Sequence, residues 1–509
     1  MSTHETVASS LPPISPTDAG ESPLAPLRIR QEDRTVYIQK ISQRIRITPP
    51  ARRYAIAELA RRAGVSDAIQ KEWRISVEED KTVLRLPGQI EKQIVFPHAA
   101  AALLRELSMG RTPMARRSWM FAPTAFLREV VPDFVVPFAW DADNHDLSLF
   151  VRRDSNTIEC TVDLPLSILF SLSRWEEMLD VERDTHGRFS AQKSLAMAKD
   201  FLRRPIVDEY GLAFEQVLQT LLPMWRRPER KLRIKISHDA DHIGIPFRLK
   251  DVVRHTTHHR KPLNSARDIF GLVSDADPSE LRALREIVSL SLERSLDSSV
   301  YWKASHPGLR DSGYDPRHRK IRRTIQWLSE NKVESGVQPG YDTFRSPDKL
   351  RKEVQILREV LGEGPLGGRQ HYLRWCPDTW IHWETCGLAY DSSLCFAEHL
   401  GFRAGTCIPY RPWLFSLNCE ADLLEIPLIV MDRTLLGYMK LDCEQSVTVV
   451  KEVLRRCRAV GGLFTLVWHN NNLLDPLYRS LYFQLLPLLE GGERYDWLTD
   501  YARISADRA

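Results

Sequence analysis

Two histidines and two aspartates occupy four of five consecutive positions near the middle of the chain: His238, Asp239, Asp241 and His242. They follow residues 232–237, in which apolar and polar residues alternate as in a β-strand. Enzymes built on parallel sheets carry functional residues at the carboxyl ends of strands. Two neighbouring carboxylates can divide metal binding and base catalysis between them. Helix capping would explain one aspartate but not all four groups, so the cluster predicts a functional site.

Three more predicted strand ends carry polar side chains of the same kinds. Residues 333–343 end a short strand in a Gly-Pro turn. Arg369 and His371 lie two positions apart, so an extended backbone would project both to the same side. His469 ends a strand of the buried type and is followed by three asparagines. A single histidine at a strand end is commonly structural, but several such ends in one array favour a shared cleft.

From residue 229 onward, predicted strands and helices alternate, which is typical of a parallel sheet in a barrel or a doubly wound arrangement. One predicted helix covers residues 346–362, with Ser346 as N-cap and Gly362 as its end. The other predicted elements here are strands over 232–237, 300–305, 333–339, 371–375, 423–431 and 463–469, and helices over 317–331 and 447–462.

The preceding residues predict a separate mixed α/β domain over 28–228. Residues 1–27 contain five prolines and predict a flexible tail, and the charged stretch 225–231 separates the two domains, the second being 229–509. The predicted elements of the first domain are a strand pattern over 28–50, strands over 73–79, 82–88, 147–153 and 157–164, and helices over 52–64, 99–107 and 164–179.

Composition excludes several classes of protein. No apolar run in the 509 residues approaches the ~20 that a membrane helix needs, and the N-terminus lacks the features of a secretory signal. The net charge is only +4, which does not favour a nucleic-acid partner. Seven of the eight cysteines lie between Cys376 and Cys457 without a C-x-x-C pair. Reduced thiols in a cytoplasmic protein are therefore expected.

Six segments, in their order and spacing, resemble NodB-type polysaccharide deacetylases, in particular a divergent branch whose first motif reads Thr-His-Asp-Val-Asp. They are SHDADH (237–242), GVQPGYDT (336–343), RQHYLRW (369–375), residues 387–406, IPLIVMDRTL (426–435) and LVWHN (466–470). Residues 169–210 are similar to the uncharacterised domain that commonly precedes this branch. The resemblance extends from about residue 160 to about residue 475.

The resemblance implies a distorted (β/α) barrel and a divalent metal, most commonly zinc, that serves hydrolysis of N-acetyl groups in carbohydrate metabolism. It implies that Asp239 is the catalytic base and that Asp241 binds the metal. Arg369 would orient the base, and His469 would protonate the leaving amine. Asp391 would lie in the region that supports His469. A metal held by a carboxylate and imidazoles lowers the pKa of bound water toward ~7 and polarises the amide carbonyl.

The second motif of the family supplies a metal-binding histidine where this chain has Gln338. A glutamine oxygen is uncharged and suits hard cations better than zinc. Three alternatives remain open: Gln338 is a weak ligand, His242 or His371 completes the site, or the metal has been lost. His238 is expected to support the site.

We therefore expect a metal-dependent hydrolase, acting on C–N bonds other than peptide bonds, that removes an N-acetyl group from a sugar or related amide. The alternative is an impaired relative that binds a glycan or a protein partner. The expected partner of the enzyme is a small molecule or an oligosaccharide, without nucleic acid or a membrane span, and no oligomeric state is predicted.

Two further patterns have plainer explanations. His255, His258 and His259 are expected on a solvated basic helix face, and the tryptophans near the motifs suit core packing as well as sugar stacking.

Overall fold

The computed structural model describes residues 45–88, 91–99, 114–137, 147–179, 182–229, 231–245 and 276–506. The predicted tail, the strand pattern up to residue 44, nearly all of the helix predicted over 99–107, and His255, His258 and His259 lie outside these residues. Residues 45–47, which end the strand pattern, are not in a strand. No helix within the described ranges is long and apolar enough to cross a membrane.

The first part of the chain packs helices against a small sheet with the strand order β1-β2-β3-β7-β6, in which only β3 and β7 are parallel neighbours. A separate antiparallel pair is formed by β4 and β5. The elements are α1 (Pro49–Ala63), α2 (Asp67–Gln70), β1 (Arg74–Val77), β2 (Lys81–Leu86), β3 (Lys92–Pro97), β4 (Met114–Arg117), α3 (Ala125–Val130), β5 (Phe134–Pro137), β6 (Phe150–Arg152), β7 (Thr157–Cys160), α4 (Leu164–Leu172), α5 (Trp175–Leu179), α6 (Leu195–Ala198) and α7 (Ile206–Leu221).

Local sequence explains the bounds of α1. The Thr48 hydroxyl accepts a hydrogen bond from the backbone nitrogen of Ala51, and prolines occupy the first turn, where no intrahelical donor is needed. Gly64 ends the helix with φ +96°, a left-handed conformation that glycine adopts without strain. The predicted end of this helix at Gly64 is confirmed.

The second part contains a curled parallel sheet with the order β15-β12-β11-β10-β9-β8-β17-β16, and β18 also pairs with β8. Its strands are β8 (Arg233–Asp239), β9 (Ser298–Trp302), β10 (Glu334–Val337), β11 (Leu366–Gly368), β12 (Leu388–Asp391), β15 (Leu424–Glu425), β16 (Val430–Met431), β17 (Leu463–Val467) and β18 (Glu493–Arg494). The two edge strands, β15 and β16, are joined by residues 426–429. The prediction of a mixed α/β protein with a parallel sheet is confirmed.

Amphipathic helices cover this sheet, and a two-stranded ribbon extends from it. The helices are α8 (Ser279–Glu293), α9 (Arg319–Glu330), α10 (Pro347–Leu361), α11 (Asp378–Thr385), α12 (Cys443–Val460), α13 (Pro476–Leu489) and α14 (Trp497–Ala506), and the ribbon strands are β13 (Trp413–Leu414) and β14 (Cys419–Glu420). Asp442 and Gln445 form a reciprocal capping box at the start of α12. The helices predicted over 317–331, 346–362 and 447–462 are confirmed.

Three predicted elements differ from the structure. The strand predicted over 371–375 is a tight helical turn, His371–Leu373, in which Tyr372 and Leu373 have φ of +62° and +54°. The preceding strand ends at Gly368. Residues 423–431 form two strands of two residues each rather than one. The helix predicted over 164–179 is broken at Arg174, which has φ +53°.

Candidate active site

Polar side chains from five neighbouring strands meet at the carboxyl edge of the parallel sheet. Because these strands run in one direction, their ends open on the same side of the sheet. The residues at or just beyond these ends are Asp239 and Asp241 (β8), Lys303 (β9), Gln338 (β10), Arg369 and His371 (β11), and His469 (β17). The structure therefore brings together Asp239, Asp241, Gln338, Arg369, His371 and His469, which the sequence predicted for one site.

The Asp239 carboxylate is held by a buried arginine. Arg369 donates from Nη1 to Asp239 Oδ1 at 2.8 Å, and its Nε donates to the carbonyl of Ser392 at 2.9 Å. The guanidinium lies over the Tyr301 ring, 5.0 Å from the ring centre. Arg369 and Asp239 are both buried. The arginine thus fixes the orientation of the carboxylate and balances its charge.

Asp241 lies at the centre of the cluster. Gln338 donates from Nε2 to Asp241 Oδ1 at 2.8 Å. The Nε2 atom of His371 lies 3.3 Å from the same oxygen, and Nε2 of His469 lies 3.6 Å from Oδ2. Burial alone would raise the pKa of Asp241, but His371, His469 and Lys303 hold that pKa well below its usual range.

A carboxylate that the sequence analysis did not select supports His469. Nδ1 of His469 lies 2.7 Å from Asp432 Oδ1, and the backbone nitrogen of His469 donates to Asp432 Oδ2 at 2.8 Å. Asn472 also donates to Asp432 Oδ2, at 2.8 Å. Burial would lower the pKa of His469, but the Asp432 carboxylate raises that pKa to about 9. The ring is therefore an imidazolium at neutral pH.

Asp391, which was expected in the region that supports His469, has no described hydrogen bond to that histidine. Asp391 ends β12 and accepts hydrogen bonds from the backbone and the hydroxyl of Ser393, at 2.8 and 2.5 Å. Its other oxygen is buried without a hydrogen-bond partner among the described residues. Burial raises the pKa of Asp391 to about 7. The aspartate that supports His469 instead follows the two-residue strand β16, which is too short to give a clear periodic pattern.

The histidines on either side of the aspartates differ in environment. His238 is buried, its Nδ1 lies 3.0 Å from the carbonyl of Trp468, and burial lowers its pKa to about 4. A neutral His238 thus fixes the backbone just before His469. His242 is exposed, and its carbonyl accepts a hydrogen bond from Asn470 at 2.6 Å. No described hydrogen bond joins the His242 ring to Asp241.

Two charged residues at the site, Lys303 and Asp311, were missed by the sequence analysis. The Lys303 ammonium lies 2.9 Å from Asp311 Oδ1 and 3.3 Å from Nδ1 of His371. The same Asp311 oxygen lies 2.7 Å from His371 Nδ1, and the Lys303 side chain is 0% exposed. Lys303 could have been predicted, because a charged residue ends the apolar segment VYWK (300–303). Asp311 could not, because it lies in a polar loop without periodicity.

The described donor set does not fit the zinc site that the resemblance implies. Structural and catalytic zinc ions take three or more nitrogen, sulfur or carboxylate ligands. No group of three His, Cys, Asp or Glu side chains in the described parts of the chain is arranged to hold a metal ion. Gln338 turns its amide nitrogen toward Asp241, and its buried oxygen has no described partner. The Lys303 ammonium behind His371 would also repel a cation bound to that ring.

Comparisons with known proteins found one family model and several solved structures that are similar to this chain. A family of unknown function, DUF7033, matches residues 81–223. No curated protein matches the sequence. Among solved structures, a protein described as a polysaccharide deacetylase from Mycobacterium smegmatis is 13% identical with a TM-score of 0.39, and the match covers 56% of this chain and 94% of that one.

Two other solved structures are similar to a comparable extent. A protein described as a polysaccharide deacetylase from Pseudomonas aeruginosa PAO1 is 14% identical, with a TM-score of 0.36 and coverage of 54% of this chain and 90% of that one. The allantoinase Puue is 12% identical, with a TM-score of 0.37 and coverage of 55% and 92%. At these identities, the case for a function rests on the side chains of the cleft.

Proposed function

We propose that this protein hydrolyses the amide bond of an N-acetylated sugar or a related small amide, with Asp239 as base and His469 as acid. One observation supports the proposal most strongly. Each of the two groups is held by its own buried counter-charge, Asp239 by Arg369 and His469 by Asp432. An oriented carboxylate and an oriented imidazolium on neighbouring strands form the pair that general acid–base hydrolysis needs.

The reaction divides into addition and elimination. Asp239 takes a proton from a water molecule while the water oxygen bonds to the amide carbon. His469 then gives its Nε2 proton to the amide nitrogen as the C–N bond breaks, because an amine anion is a poor leaving group. The products are acetate and a free amine. The raised pKa of His469, about 9, keeps that proton available at neutral pH.

The negative charge that develops on the carbonyl oxygen needs donors near Asp241. Nε2 of Gln338 and Nε2 of His371 both face this point in the cleft. Donors fixed before the reaction stabilise a transition state without reorganisation. These two residues are therefore assigned to binding the carbonyl oxygen.

The sugar part of the substrate is supported by the rings beside His371. Tyr372 contacts the His371 ring edge-to-face at 4.7 Å between centroids, and Tyr341 contacts Tyr372 at 5.2 Å. Both tyrosines are partly exposed. Aromatic faces suit the C–H faces of a pyranose ring.

The tryptophans proposed for stacking do not serve this role, because all five are fully buried. They are Trp302, Trp375, Trp380, Trp383 and Trp468.

Acetate release from a panel of N-acetylated monosaccharides and oligosaccharides tests the proposal. Asp239→Asn and His469→Gln should each lower kcat by at least ~100-fold. Each removes one member of a buried pair, so the rates are measured at a temperature where circular dichroism shows that the variant is folded. His399→Gln is a matched control, because His399 bonds Gln192 at an exposed site away from the cleft. Equal rates in all four proteins would contradict the assignment.

A second function, binding of a glycan without hydrolysis, is favoured by the environment of Asp241. Three side chains already contact its carboxylate, so the carboxylate has its full set of contacts without a metal ion. Calorimetric titration with the same panel separates the two functions. Saturable binding of an acetylated sugar without acetate release supports the binding function, and turnover supports the hydrolase.

A further inference from the structure

A buried lysine lies in the cleft where the resemblance places a metal ion. Lys303 follows β9, between the strands that supply Asp241 and Gln338, and its side chain is 0% exposed. Its ammonium contacts Asp311 Oδ1 at 2.9 Å and His371 Nδ1 at 3.3 Å. A fully buried ammonium is costly unless it is paired. Its position beside the reacting groups therefore calls for a functional explanation.

Asp311 is fixed from both sides, so Lys303 has one defined position. Oδ1 of Asp311 contacts Lys303 and His371, and Oδ2 accepts a hydrogen bond from the backbone nitrogen of Tyr341 at 2.9 Å. The backbone nitrogen of Lys303 in turn donates to the Tyr314 hydroxyl at 2.9 Å. Lys303 and Asp311 both contact Nδ1 of the His371 ring, and Nε2 of that ring contacts Asp241. These contacts connect the Lys303 ammonium to Asp241.

The formal charges around the cleft show what the Lys303 ammonium contributes to it. Asp239 is balanced by Arg369, and Asp432 is balanced by His469. Among the carboxylates that contact the site residues directly, Asp241 and Asp311 are left, and a divalent ion would supply the positive charge that they need. Lys303 supplies part of that charge from within the chain, and Gln338 donates to Asp241 from the position where the family has a metal-binding histidine.

We propose that the Lys303 ammonium replaces the metal ion as the fixed positive charge of this cleft, so that the protein acts without a bound metal. This inference rests on the proposed hydrolysis. Through Asp311, Lys303 positions His371, whose Nε2 then faces the developing charge on the substrate carbonyl. Lys303 is thus a positioning residue and does not contact the substrate.

Metal analysis of the purified full-length protein is the first test. We expect less than ~0.1 equivalents of zinc, manganese, cobalt or nickel per chain by mass spectrometry, and unchanged acetate release after EDTA. A stoichiometric metal whose removal abolishes acetate release would overturn the proposal. Metal content is measured independently of turnover, so an absence of acetate release under all conditions would contradict the hydrolase alone.

Substitutions provide the second test. Lys303→Met should lower kcat by at least ~100-fold with little change in KM, and Lys320→Met should not, because Lys320 is equally buried but donates to the carbonyl of Ala276. Gln338→His combined with Lys303→Met should bind one equivalent of zinc, whereas Gln338→His alone should not. Zinc bound equally tightly by both variants would overturn the proposal, and it can be measured even if Lys303→Met alone folds poorly.

Discussion

At the scale of single residues, the contact between Asp432 and His469 controls the acid of the proposed reaction. Asp432 is fully buried, and four donors, two of them on His469, contact its two oxygens. Asp432→Asn keeps the shape but removes the charge that raises the pKa of His469 to about 9. Burial then opposes only the weaker effects of Asp241 and Asp239, and the pKa of His469 should fall toward its ordinary value of about 6.5.

The pH profile of acetate release measures this change. In the unsubstituted protein kcat should fall as the pH rises through about 9, because His469 must carry its proton. In Asp432→Asn the fall should begin near pH 6, with kcat at pH 7.5 ~10-fold lower. Asp422→Asn is the control, since Asp422 is 63% exposed. An unchanged alkaline limit in Asp432→Asn would show that His469 is not the acid.

The buried Asp391 predicts a pH dependence of stability rather than of activity. Burial raises the pKa of Asp391 to about 7 in the folded state, against about 3.9 in an unfolded chain. The associated stabilisation is fully present below pH ~4 and is lost as the pH rises through about 7. At ~1.4 kcal/mol per pKa unit, the loss is at most about 4 kcal/mol.

Asp391→Asn should remove much of this dependence. Urea unfolding at pH 5 and pH 8 is expected to show a smaller difference in the free energy of unfolding for the variant than for the unsubstituted protein. Part of the dependence should remain, because Glu425 pairs with Asp391 in register across β12 and β15 and is also buried. An equal difference in both proteins would contradict a raised pKa of Asp391 in the folded state.

The site residues that the sequence predicts lie at the ends of clear strands, whereas those that it does not predict are defined by distant partners. Asp239, Asp241 and His469 follow clear strands, so their place at the sheet edge follows from local periodicity. Lys303 and Asp432 act through partners 68 and 37 residues away along the chain. Such pairings depend on how strands are ordered in the sheet, which local periodicity does not encode.

At the scale of elements, the turn after β11 shows where a period-two pattern fails. The strand pattern predicted over 371–375 would place Arg369 and His371 on one side of an extended segment. In the structure Tyr372 and Leu373 are left-handed, which is costly for residues other than glycine. The turn nevertheless brings both side chains into the cleft. Tertiary contacts that no local pattern reveals must therefore hold it.

A loop of the first part of the chain supplies one of these contacts. Arg188 donates from Nη1 to the carbonyl of Tyr372 at 3.0 Å and is itself paired with Asp184. Arg188→Ala should release the turn and misplace His371. We expect a fall in kcat of ~10-fold or more with a smaller change in the melting temperature, because a small misplacement of a positioned group is costly for catalysis.

A double comparison tests the role of Arg188. Arg188→Lys should restore part of the activity, since its ammonium can reach a carbonyl oxygen, and Arg203→Ala should have no effect, because Arg203 forms an exposed pair with Glu452. If Arg188→Ala lowers stability and activity to the same extent as a core substitution, the loop is structural and does not position His371.

At the scale of the whole molecule, buried ion pairs join the two parts of the chain. Glu177 follows α4, and both of its oxygens accept hydrogen bonds from Arg403; each of these side chains is 1% exposed. Asp208 in α7 pairs with Arg62 within the first part, and it accepts hydrogen bonds from the Thr406 hydroxyl and the Cys407 backbone nitrogen of the second part. The apolar core is also continuous across the two parts, with Tyr54 against Trp413 and Trp175 against Phe415.

This continuity predicts that the two parts unfold together. Glu177→Gln leaves Arg403 and Arg174 buried with reduced compensation, and removing one member of a buried pair costs ~3–5 kcal/mol. The matched control is Glu159→Gln, because Arg153 and Glu159 form an exposed pair worth less than ~1 kcal/mol. Urea unfolding of Glu177→Gln should show a single transition, shifted as a whole, by tryptophan fluorescence and by circular dichroism. Two unfolding transitions, of which only one shifts to lower urea concentration, would show that the parts are independent domains. The loop that carries Arg188 would then not be rigidly coupled to the cleft.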